Sequence, residues 1–217
     1  MRNMKPQAVS VHLPFAALIC LAALMLSGCE QLFTSNLLSS LRRDPSTMTS
    51  EQKTAYAQQA LSSGDPAVMM QAFDALTSGG TANLTTQQKV YAVELGVGAT
   101  SIQSTAAQIG AQYNAGQDTT AAINSAAASI DPVLVSQTAA LLASLPSGSG
   151  ATASDYAMVA IALGLAAANQ AGGVQNLTGT ESDVVQAKTF FDTSQAMLQA
   201  SGQSTSTVSG IAGLFKA

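Results

Sequence analysis

Glu94 sits in the stretch Val90, Val93, Glu94, Val97, where a helix would set a carboxylate among valines. Partial desolvation disfavours the charged form, raises the pKa and suits a general acid. Glycoside chemistry uses two placed carboxylates, however, and the sequence sets no second one beside Glu94. A carboxylate at a groove edge or helix margin is the more ordinary reading of the same residue. Tyr56, Tyr91 and Tyr156 recur at related positions and either line a ligand groove or fill a core, the usual place of aromatics at helical spacing. Glu51 and Asp155 fall at expected helix starts, where the positive end of the helix dipole favours acids.

Other chemistries are excluded by residue type. The single histidine, His12, precedes the apolar run from Phe15 to Leu26, and tryptophan is absent. Without imidazole beyond that point, Ser-His-Asp and Cys-His triads cannot form, and a zinc site would have to be built from carboxylates alone. Gly96-Val97-Gly98 lacks the third glycine and the preceding strand of a dinucleotide loop. No catalytic residue, metal or cofactor is therefore expected.

Helices must position whatever these residues do. Alanine is the commonest residue, β-branched runs are absent, and glycines at 64, 79–80, 116, 148, 150, 172–173 and 202 punctuate the chain where helix ends are expected. Thr49 with Gln52 and Thr85 with Gln88 form capping boxes, and Asp65-Pro66 and Asp131-Pro132 place an acceptor before a proline at the first helical position. The pattern predicts helices over 31–43, 50–63, 66–78, 86–115, 119–130, 132–145, 153–171, 181–201 and 207–215. Exposed connections are expected at 146–154, 177–181 and 202–207. The predicted core runs through Tyr56, Leu61, Val68, Met69, Phe73 and Leu76, then Tyr91, Leu95, Ile102, Ile109, Ile123, Leu134, Leu141 and Leu142. It continues through Val159, Ile161, Leu163, Phe190, Phe191, Met197 and Leu198. The stretch from Tyr156 to Ala168 is too short to span a bilayer and reads as the central buried helix, while Ile211, Leu214 and Phe215 imply a short docking helix at the C-terminus.

Asp65-Pro66, Gln71 and Leu76 recur at one common displacement as Asp131-Pro132, Gln137 and Leu142. Tyr91-Ala92 recurs as Tyr156-Ala157 at nearly the same displacement, and Tyr56-Ala57 precedes Tyr91-Ala92 by about half of it. A unit of about 33 residues, present also at its doubled period, resembles the tetratricopeptide repeat. The resemblance covers positions 48–200, although the Trp-Leu-Gly signature is missing. It implies an all-α, helix-pair solenoid with a concave partner surface; an Ala-rich helical bundle is the alternative.

The segment from Met1 to Cys29 carries the most specific motif. A basic start with Arg2 and Lys5 leads to an unbroken apolar run, Phe15 to Leu26, and then Leu26-Ser27-Gly28-Cys29. A spanning helix needs about 20 apolar residues, more than this run supplies, so a cleaved signal fits better than an anchor. The segment resembles bacterial lipoproteins. The resemblance implies cleavage of residues 1–28 after Gly28 and acylation of Cys29, whose several chains hold a protein on a membrane. It also implies outer-membrane sorting, since Glu30 replaces the aspartate linked to inner-membrane retention. Residues 29–47 then form a lipidated N-terminus with a short tether helix, and 48–217 a single helical repeat-like domain.

The chain beyond Gly28 keeps six basic residues (Arg42, Arg43, Lys53, Lys89, Lys188, Lys216) against all twelve acids, a formal charge of −6. No basic stripe exists to neutralise phosphates, so nucleic acid is disfavoured as a partner. Cys20 leaves with the signal and Cys29 is consumed by lipid, which leaves no disulfide. Arg42-Arg43, after Leu32, Phe33, Leu37, Leu38 and Leu41, either touch anionic headgroups or end a helix that caps the repeat array. The expected function is that of a noncatalytic, periplasm-facing outer-membrane lipoprotein. It acts as scaffold or adaptor for a protein partner in an envelope secretion, assembly or transport system. The alternatives are a small-ligand carrier with a pocket lined by Tyr91, Val97 and Met158, and a cell-wall enzyme using Glu94.

Overall fold

Side-chain acceptors cap the starts of five of the nine α-helices in the computed structural model, which describes residues 47–216. Among them nine α-helices follow one another: α1 (Ser50–Ser63), α2 (Pro66–Thr77), α3 (Thr86–Ala99), α4 (Ile102–Asn114), α5 (Thr120–Ser129), α6 (Pro132–Ala143), α7 (Ala153–Ala171), α8 (Ser182–Ala200) and α9 (Ser206–Leu214). No described residue lies in a β-strand. The described residues from Met48 onward form one unit. Leu26, Ser27, Gly28, Cys29 and the helix expected over 31–43 lie outside the described residues.

Thr49–Gln52 and Thr85–Gln88 close the expected capping boxes, and Thr152–Asp155 closes a third at the start of α7. Asp65 Oδ1 accepts from Ala67 and Val68 N–H at 2.9 and 3.4 Å; Asp131 Oδ1 accepts from Val133 and Leu134 N–H at 2.9 and 3.2 Å. These bonds satisfy donors that the first turn leaves without intrahelical partners.

The helix expected over 86–115 is broken in two. Ser101 takes φ +53°, a region uncommon for residues other than glycine, and α4 begins at Ile102. Local competition explains the break. Thr100 Oγ1 donates to Val97 O at 2.8 Å and Ser104 Oγ to Ser101 O at 2.9 Å, alternatives to a continuing ladder just after the weak helix formers Gly96 and Gly98. Reorientation at the break allows Ile102, only 1 % exposed, to enter the core.

Two 3-10 turns, Thr81–Asn83 and Val174–Asn176, stand in the α2–α3 and α7–α8 connections. They belong to a short repeat: Gly79-Gly80-Thr81-Ala82-Asn83-Leu84-Thr85 matches Gly172-Gly173-Val174-Gln175-Asn176-Leu177-Thr178 as Gly-Gly-x-x-Asn-Leu-Thr. Gly80 (φ +84°) and Gly173 (φ +138°) enter the turns through backbone that favours glycine. The Thr85 N–H then donates to Gln88 Oε1 at 3.0 Å, and the Thr178 N–H to Glu181 Oε1 at 2.8 Å. The connection expected to be exposed at 177–181 is therefore anchored, with Leu177 buried and its carbonyl accepting from Lys216 Nζ.

The helices α1, α2 and α3 pack mutually, and α6 packs on α3 as well. Glycines permit these approaches. A Cβ on Gly98 would collide with the Met69 sulfur of α2, and one on Gly96 with the Thr138 hydroxyl of α6. Beyond α3 the helices gather on α7: α3, α4, α5, α6, α8 and α9 all contact it. Val159, Ile161, Leu163 and Leu165 of α7 are buried, each worth about 1.5–3 kcal/mol relative to exposure. Phe215, at the end of α9, is fully buried over Gly164. Most of the expected core is buried, but Leu61, Val68, Tyr91, Met197 and Leu198 are only half-buried. No single described helix is long and apolar enough to cross a membrane; α5 and α6 meet that measure only together, and they are bent by 92°.

Candidate functional site

Glu94 on α3 is half-buried, and its carboxyl is raised above the ordinary value first by desolvation and then by the negative charge of Asp155. Asp155 is engaged in capping α7: its Oδ2 accepts from Thr152 N–H at 2.7 Å and Thr152 Oγ1 at 2.8 Å. The charge of Asp155 thus reaches Glu94 from another helix. A general acid needs such a raised pKa together with a cleft for substrate; of the three clefts below, none is lined by Glu94.

The three tyrosines face different neighbours. Tyr56 Oη donates to Gln71 Oε1 on α2 at 3.3 Å, and burial pushes its phenol up. Tyr91 Oη accepts from Gln58 Nε2 on α1 at 2.8 Å and from Gln87 Nε2 at 2.9 Å. Tyr156 packs edge-on against Phe190 of α8, with ring centroids 5.8 Å apart. These contacts join helices rather than form a shared wall. Beside Tyr91, the buried Gln88 links α3 to α1 through its Nε2, which donates to Ser50 Oγ at 2.8 Å and Thr54 Oγ1 at 3.0 Å.

Three clefts lie elsewhere. An apolar one of about 470 Å³ runs between α4, α7, α8 and α9, walled by Ala107, Gly110, Ile161, Phe191 and Ile211. Met158 lines it, whereas Tyr91 and Val97, expected beside Met158, do not. A smaller one of about 230 Å³ lies between α5 and the end of α7. The third, about 500 Å³, is polar and lies where the Thr81 turn, α3 and α6 meet, with Lys89, Gln137, Thr77, Thr81 and Ser144 around Leu141. Residue pattern does not mark Lys89 or Gln137 as site residues; the duplicated Gly-Gly-x-x-Asn-Leu-Thr turn is the signal in the sequence for this region.

Among the described residues no group of three or more His, Cys, Asp or Glu is gathered as a metal site. No protein-family model, curated protein or solved structure matches this chain.

Proposed function

We propose that the protein is a noncatalytic outer-membrane lipoprotein, anchored through Cys29 and facing the periplasm, that serves as a scaffold or adaptor for another envelope protein. One observation carries the reading: the basic start, the apolar run and Leu26-Ser27-Gly28-Cys29 coincide in the order of a lipoprotein signal. The lack of imidazole beyond His12 and the uncharged Ser, Thr, Gln and Asn surface favour binding over catalysis. Mutual packing of α1, α2 and α3, with α6 on α3, supports a helix-pair repeat of the tetratricopeptide kind in this part, while the helices gathered on α7 support bundle packing in the rest. A small-ligand-binding lipoprotein is the second reading, favoured by the apolar cleft between α4, α7, α8 and α9.

Fractionation of cells carrying Cys29→Ser tests the anchor: the variant leaves the membrane fraction and keeps its helical circular dichroism. If it still sediments with membranes, the polypeptide itself holds the protein there. Cross-linking in living cells tests the adaptor. Recovery of one discrete envelope protein supports it, and recovery of none argues against it. Retained function in Glu94→Gln cells removes the enzymatic alternative; its loss would favour that alternative over the adaptor.

A further inference from the structure

We propose that the polar cleft between α2, α3 and α6 binds a small hydroxylated carboxylate, a sugar acid in chemical class, with Lys89 as its cation. The proposal does not depend on the anchor or on an adaptor role. The cleft's volume, about 500 Å³, falls in the range of small-molecule sites, and apolar Leu141 and Ala140 stand among groups that bond in complementary ways.

Lys89 carries the argument. The other described lysines are engaged: Lys53 Nζ donates to Ser78 Oγ at 2.9 Å, Lys188 pairs with Asp192 at 3.8 Å, and Lys216 Nζ donates to Leu177 O. Lys89 stands in the cleft wall, its backbone N–H bonded to Thr85 O at 3.0 Å, yet its side-chain ammonium has neither an acidic nor a hydrogen-bonding partner among the described residues. An ammonium at a cleft without a protein counter-ion, in a chain where acids outnumber bases, is free to pair with an anion from outside. One lysine without an arginine fork suits a single negative charge better than a phosphate dianion.

The neighbouring groups select the rest of the ligand. Thr77 Oγ1 already donates to Phe73 O at 2.8 Å and Ser144 Oγ to Leu141 O at 2.8 Å, so both hydroxyls offer only lone pairs and accept from ligand O–H groups. Gln137, on the exposed face of α6, offers both donor and acceptor. The duplicated turn shows the kind of atom that meets this backbone. In the second copy Asn124 Oδ1 accepts from the Val174 N–H at 2.8 Å, whereas the matching Thr81 N–H, at the same cleft as Lys89, has no acceptor among the described residues. Acceptor oxygens on the Lys89 side and donor hydroxyls on the Thr77 and Ser144 side together describe a hydroxy acid.

Titration of the purified protein with glucuronate, followed by amide NMR, tests the assignment, with glucose and glucose 6-phosphate for comparison. Glucuronate is expected to give saturable shifts at Gly80, Thr81 and Lys89. Lys89→Met, which keeps the aliphatic stem, weakens binding at least about tenfold, the share of one charge-assisted hydrogen bond. Glucose binds at least about tenfold more weakly than glucuronate for the same reason. Gln137→Ala, on an exposed helix face, weakens it severalfold, and Lys188→Met leaves it unchanged. No saturable shift at those amides, equal affinity in Lys89→Met, or tighter binding of glucose 6-phosphate overturns the proposal.

Discussion

Gly164→Ala should change the sign of its effect according to what residue 215 is. A Cβ at Gly164 would stand 2.5, 2.7 and 2.9 Å from Cγ, Cδ1 and Cδ2 of Phe215, closer than carbon atoms approach, and the ring is fully buried. Overpacking of this kind costs about 1–3 kcal/mol. Alanine also gains about 0.5–1 kcal/mol over glycine inside a helix, and Gly164 lies in the middle of α7. The net expectation is a loss of about 1–2 kcal/mol in the wild-type background. Phe215→Ala alone removes a buried ring and costs about 3–5 kcal/mol. With the ring gone, nothing opposes the methyl group, so adding Gly164→Ala should stabilise the Phe215→Ala protein by about 0.5–1 kcal/mol. Urea unfolding of the four proteins, followed by far-ultraviolet circular dichroism at neutral pH, measures the cycle. Equal destabilisation by Gly164→Ala in both backgrounds would refute the docking of α9 through this slot.

Gln88→Met removes the donor to Ser50 and Thr54 and the acceptor of the Thr85 N–H; a loss of about 2–4 kcal/mol in urea unfolding is expected, and an effect under about 0.5 kcal/mol would show that the α1–α3 link is unimportant. Glu94 has its carboxyl raised in the folded state, so its contribution to stability is present below the unfolded value of 4.5 and lost as pH rises through the raised folded value. Glu94→Gln is therefore expected to be more stable than wild type at pH 7, with the difference vanishing below the ordinary carboxylate range; thermal melts across pH check this, and an unchanged difference refutes it. Glu181 has the opposite sign: the backbone N–H of Thr178 leads the hydrogen bonds that hold it down at about 2. Its contribution is present above 4.5 and fades as pH falls toward 2, so a carboxyl NMR titration with an ordinary midpoint would remove the Thr178 loop contact.

Much of the local architecture was readable because its causes lie within four residues. Thr49 with Gln52, Thr85 with Gln88, and the two Asp-Pro steps each satisfy donors one turn away, so their helices start where their residues dictate. The break at Ser101 escaped periodicity because apolar spacing runs through it, whereas Thr100 and Ser104 compete for the backbone through hydroxyls that a hydrophobic pattern ignores. Of the candidate residues, Glu94 was legible as a perturbed acid from its valine neighbours, although its second perturber, Asp155, lies far along the chain on another helix. Lys89 gave no sign, since a lysine on a helix is ordinary until the structure shows what lies opposite.

By itself the amino-acid order determined the all-helical character of the described residues and the residues that start four of their nine helices. Only the tertiary structure decided which helices would gather on α7, already legible as the central helix, that Gly96 and Gly98 would admit neighbouring helices, and that a cation would stand without a partner beside a polar cleft. Gly96 meets Thr138, Gly164 meets Phe215 and Val174 meets Asn124, each pair joining distant parts of the sequence. Capping acts over one turn, but packing selects partners by shape from the whole chain, and no local pattern carries that choice.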